Sequence, residues 1–151
     1  MRRVLVIFSM MILSLSFISQ AAGVLNQAQQ ESPPSVSLNP ASLDFGDQVV
    51  KRPSKPQRIT VTNTGGKPLY VNSATITGDN RNDFSLTNDT CTGATIAPGK
   101  SCVLDVAFTP TATERRAATL TLNDNAPDSP QQIALTGNGI NSVRVPPNGQ
   151  R

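Results

Sequence analysis

A chain of 151 residues has room for a single domain, and 13 basic against 10 acidic residues give it only a modest positive charge. No Lys/Arg cluster interleaves with aromatics and Trp is absent, so the signature of a nucleic-acid surface is missing. Histidine is absent as well, which removes the commonest general base and the commonest metal ligand.

Residues 1–22 have the three parts of a secretory signal. Arg2-Arg3 is the positive start, Val4 opens an apolar run that reaches Ile18, and Ser19-Gln20-Ala21 offers the small residues a signal peptidase reads. The run is short for an uncleaved anchor, which needs about 20 residues. No Cys follows it, so a lipid-modified N-terminus is not expected. Removing Arg2 and Arg3 from the 13 basic residues leaves 11 against 10 acidic ones, a mature net charge of about +1. Residues 23–34, rich in Gln, Ala and Ser and closed by Pro33-Pro34, read as a flexible spacer.

From there the pattern is short strands and turns. Val36 with Leu38, then Leu43 with Phe45, predict an edge strand kinked at Asn39-Pro40, where Pro is tolerated. Residues 51–56 form a basic, Pro-bracketed turn that reads as a solvated loop rather than an anion site. Residues 57–63 alternate, with Ile59 and Val61 inward, and Asn63-Thr64-Gly65-Gly66 is a hairpin-type turn. Residues 69–76 give the next strand, with Val71 inward and Tyr70 outward, and Phe84 with Leu86 a short one.

The clearest strand follows the Pro98-Gly99 turn. Cys102, Leu104, Val106 and Phe108 share one face, Val103, Asp105 and Ala107 the other, and Pro110 ends it. Ala118, Leu120 and Leu122 then share a face, and Ile133 and Leu135 belong to a last strand that Gly137-Asn138-Gly139 is expected to close. Residues 141–151, with Pro146-Pro147, read as a disordered tail.

The two cysteines, Cys91 and Cys102, stand eleven positions apart in a chain bound for an oxidising compartment. A structural disulfide is the expectation, worth about 3 kcal/mol for a loop of this size. A redox pair usually sits closer, as Cys-x-x-Cys. No metal site or cofactor is expected from two cysteines without histidine. The Asx-rich segments 79–83 and 123–128 resemble tight turns more than the spaced acidic ladder of a calcium loop, although calcium stays open there. Asn88-Asp89-Thr90 has the form of a glycosylation acceptor. Ser101 and Ser129 have no base to activate them, and the pair Asp124 and Asp128 lies in a turn-rich loop, so no enzyme is expected.

Seven or eight short antiparallel strands without helical periodicity predict an all-β, immunoglobulin-like β-sandwich. Leu43-Asp44-Phe45-Gly46, Ile59-Thr60-Val61-Thr62-Asn63-Thr64-Gly65 and Asp83-Phe84 resemble, in order, blocks of the choice-of-anchor D repeats. So do Cys91, Ile96-Ala97-Pro98-Gly99-Lys100-Ser101-Cys102, Val106-Ala107-Phe108-Thr109-Pro110 and Leu135-Thr136-Gly137-Asn138-Gly139. These repeats are related to ASH/Hydin immunoglobulin-like domains and, more widely, to major sperm protein and pilus-chaperone N-terminal domains. The resemblance covers residues 35–140 and departs at Lys51-Arg52 and near Thr113-Glu114, where the family often has Gly.

The resemblance implies a non-catalytic, exported module, periplasmic or extracellular, and does not by itself name a ligand. The expected partner is another envelope or secreted protein; nucleic acid and stable membrane insertion after signal cleavage are not expected, and the oligomeric state stays open. Two other readings remain: a periplasmic chaperone-like binder of strands, and a carbohydrate-binding accessory module, which a single Tyr and no Trp support poorly.

Overall fold

The computed structural model of the chain describes residues 31–142; the expected leader, the spacer up to residue 30 and the tail from residue 143 lie outside the described residues. Nine strands appear among them: β1 (Val36–Asn39), β2 (Ser42–Val49), β3 (Gln57–Asn63), β4 (Leu69–Thr77), β5 (Phe84–Asp89), β6 (Thr95–Ile96), β7 (Ser101–Phe108), β8 (Glu114–Asp124) and β9 (Gln131–Ile140). They form two sheets, ordered β1-β3-β7-β5 and β2-β9-β8-β4-β6. The fold is an all-β immunoglobulin-like sandwich. The count is nine because the kinked first strand changes sheets at Pro40 and because β6 is a stump of two residues. All pairings are antiparallel except that of β2 with β9, which is parallel.

Period-two alternation builds the core. On β7, Cys102, Leu104, Val106 and Phe108 are buried, facing Ile59 and Val61 of β3 in register. The opposing layer comes from Leu120 and Leu122 of β8 and Ile133 and Leu135 of β9. Leu43, Leu69, Val71 and Ile96 close its margins. At one end Phe45, Phe84 and Phe108 cluster with ring centroids 4.8 to 5.9 Å apart, Phe84 stacked on Phe108 and Phe45 tilted against both.

The end of β9 departs from the sequence expectation. Gly137-Asn138-Gly139 does not close the domain but continues the strand to Ile140. Both glycines point inward where no side chain fits. A Cβ on Gly137 would lie 2.4 Å from the Phe108 ring, and one on Gly139 would lie 2.0 Å from the Ala112 carbonyl oxygen. Close approach, not a turn, calls for glycine here.

Candidate interaction surface

The two cysteines are bonded, Cα to Cα 5.2 Å, and both are buried. The bond ties the end of β5 to β7 and shapes residues 89–96, which cross from one sheet to the other. Asp89 organises the crossing: its Oδ1 accepts the N–H groups of Cys91 (2.8 Å) and Thr92 (2.9 Å), and its Oδ2 the Thr92 hydroxyl (2.6 Å). Partial burial works against the charged form, but the bonds from Thr92 and Cys91 prevail and hold this carboxyl below its usual range. Gly93 then donates to the Val71 carbonyl and Val71 to that of Ala94. β6 covers only Leu69 and Tyr70 of β4.

The lateral edges of the sandwich are therefore unlike one another. β1 has four residues and stops at Pro40. β2 carries Asp44 and Asp47 and is bulged at Gly46, which adopts φ 61°. Side chains occupy part of its backbone: Gln57 donates to the Asp44 carbonyl (2.9 Å), and Gly46 N–H to Asp44 Oδ1 (3.1 Å). β5 is bulged between Leu86 and Asn88 and ends in the charge of Asp89. These are the usual protections of an edge. Along residues 73–77, β4 has no charge, no Pro and, among the described residues, no strand beside it on the side away from β8; its bulge lies just before this stretch, between Val71 and Ser73. Its inward Ala74 and Ile76, like Leu86 across the gap on β5, are only partly buried against the core.

Both serines and several of the Asx residues that the sequence singles out bond within the domain. Ser101 Oγ lies 2.8 Å from Thr62 Oγ1, and Ser129 Oγ accepts the Asp124 N–H at 2.9 Å. In the Asx-rich segments, Asn80 Oδ1 accepts the Ala117 N–H, Asn125 Oδ1 that of Tyr70, and Asn123 donates to Ser73 Oγ. No group of three His, Cys, Asp or Glu residues is placed to hold a metal ion among the described residues. Asp83, 2% exposed in its side chain, pairs with Arg116 Nε at 2.5 Å and accepts the Thr111 hydroxyl at 2.8 Å. On the outer face, Arg58 grips Asp105 through two bonds of 2.7 and 2.8 Å. Those bonds first, against slight desolvation, hold the Asp105 carboxyl below its usual range.

The basic loop is firmly seated, with Lys51 N–H on the Pro110 carbonyl and Ser54 N–H on that of Phe108. Lys51 (φ 62°) and Glu114 (φ 79°) occupy the left-handed region, at the two places where the choice-of-anchor D resemblance led to an expectation of Gly. Among the described residues, Tyr70 is the exposed large apolar residue, at 49%. No helix among the described residues is long and apolar enough to cross a membrane. The open half of β4 escaped sequence reasoning, because nothing in residues 73–77 tells where residues 89–96 will run.

No curated protein matches the chain. Among solved structures, a protein of unknown function from Porphyromonas gingivalis W83 is similar, at 22% identity and TM-score 0.57, over 70% of this chain and 46% of that one. The secreted serine protease VesC from Vibrio cholerae is similar at 22% identity and TM-score 0.53, over 77% of this chain and 24% of that one. An ASH/PapD-like domain of human CEP192 is similar at 10% identity and TM-score 0.54, over 73% of this chain and 88% of that domain. The chain thus spans less than half the length of the first two, and likenesses at such identities speak to the fold alone. Residues 34–139 match the family described as HYDIN/CFA65/VesB-like, Ig-like domain, and the chain belongs to that family.

Proposed function

We propose that this chain is an exported, non-catalytic immunoglobulin-like module, of the choice-of-anchor D kind, that acts in the bacterial envelope or outside the cell by docking on another protein. The observation that carries this reading is the division of labour among its polar groups. Hydroxyls, carboxylates and amides that a catalytic reading would recruit (Ser101, Ser129, Asp83, Asn80) are bonded to the domain's own backbone or side chains, while a stretch of sheet edge stands unprotected. Edge strands are a known mode of protein recognition. The disulfide suits an oxidising compartment. The likeness to a secreted protease covers 24% of that chain, a module-sized share, and brings no protease chemistry with it.

The open edge also favours a second reading, a chaperone-like binder of unfolded strands. In-cell crosslinking of the tagged chain, followed by mass spectrometry of what it captures, separates the two. One dominant envelope or secreted protein is the expected result. A broad set of unfolded exported proteins would replace docking with strand capture, and recovery of the chain in the cytoplasm, uncleaved, would overturn both.

A further inference from the structure

We propose that the chain self-associates through β4, two copies pairing antiparallel along residues 73–77 about a two-fold axis at Thr75. This pairing takes the same stretch of edge that the docking reading offers to another protein, so a second copy and a partner strand exclude one another there.

Three observations select a second copy as the occupant of this edge. The first is side-chain pattern. Antiparallel pairing about Thr75 sets Ala74 opposite Ile76 on the inward face, so each half-buried apolar side chain gains an apolar neighbour of complementary size. Ser73 falls opposite Thr77 on the outward face, and no like charges meet because residues 71–77 carry none.

The second is the path of the chain. In this register Gly78 falls opposite Asn72, and at Gly78 (φ 104°) β4 leaves the sheet for the 3-10 turn Arg81–Asp83. One residue further, Val71 already has its N–H and carbonyl bonded to Ala94 and Gly93. The incoming strand therefore ends where the covered part of β4 begins. β6 and a second copy share the edge without overlap.

The third is charge. Lys51, Arg52, Lys55, Arg81 and Arg115 outnumber the carboxylates at the end of the sandwich where β4 finishes, and none of the five joins an ion pair among the described residues. Asp89, Asp124 and Asp128 outnumber the lysines at the end where β4 starts. Antiparallel pairing lays the basic end of each copy beside the acidic end of the other and brings Arg81 toward residues 89–94 across the axis.

A residue on the axis meets its own copy, which gives a direct test. The chain expressed from its full-length sequence is examined by sedimentation from low micromolar to about 1 mM, a range that spans weak specific association. A monomer–dimer equilibrium is expected. Thr75 is exposed, so Thr75→Lys and Thr75→Glu should leave thermal unfolding of the monomer nearly unchanged. Each should weaken the dimer at least about tenfold, because like charges then stand directly opposite. Mixing the two variants in equal amounts should restore dimers as strong as the parent or stronger. A parent chain monomeric throughout, or a dimer indifferent to both substitutions, overturns the proposal; so does a mixture that stays monomeric.

Discussion

Asn63 stands in for a missing stretch of sheet at the turn after β3. Fully buried, it donates from Nδ2 to the carbonyls of Lys67 (2.8 Å) and Ile96 (2.9 Å) and accepts the Gly65 N–H at Oδ1 (3.0 Å). Its own N–H reaches the Lys100 carbonyl, and its carbonyl takes the Gly99 N–H. Asn63→Ala leaves several of these groups without partners and should cost roughly 3 kcal/mol in urea unfolding. Asn63→Asp should be no better, since a carboxylate cannot donate to two carbonyls. Asp124 behaves differently. Its Oδ1 accepts the Ala126 N–H (2.7 Å), but its buried Oδ2 has no hydrogen-bond partner among the described residues. Burial first, reinforced by Asp128, pushes this carboxyl above its usual range against the bonds from Ala126 and Ser129. The folded chain therefore holds this proton more tightly than the unfolded one. The resulting stability is complete below the ordinary carboxylate pKa and is lost as pH rises through the raised folded value. Relative to the parent, Asp124→Asn should accordingly be more stable at pH 7 than at pH 4, as denaturant titrations at both pH values will read.

The strands differ in how plainly their sequences announce them. β3 and β7 alternate without interruption, and their faces and paired register follow from that pattern. β9 is harder, because its last inward positions are glycines and the usual cue for a strand's end is the same residue. The cue misleads here because Phe108, on the opposite sheet, occupies the space a side chain would need. Gly137→Ala should cost about 1–3 kcal/mol through overpacking, measured as a lower thermal midpoint. β6 was illegible for another reason: Ile96 alone makes no period, and the stump exists only because residues 89–94 deliver it to β4. The same non-local cause hid the open edge. The cysteine pair, by contrast, could be read from the cysteine count and from the compartment that the sequence leads one to expect.

At the scale of the whole molecule, the disulfide closes one end of the gap between β4 and β5, and the turn at Arg81–Asp83 closes the other. Replacing both cysteines by Ala should cost about 3 kcal/mol by the loop-entropy argument, seen as a lower urea midpoint that matches the reduced parent chain. The parallel seam of β2 with β9 has a different consequence, one of timing. Ser42 pairs with Ala134 and Val49 with Ile140, so an early strand finds its partner only when the last strand of the domain has emerged. Until then β2 and β8 each lack a neighbour, and the sandwich cannot seal. A topology so rich in distant contacts folds slowly. A nascent chain of this design stays open through most of its own synthesis, the state in which a polypeptide can still be threaded through a narrow pore.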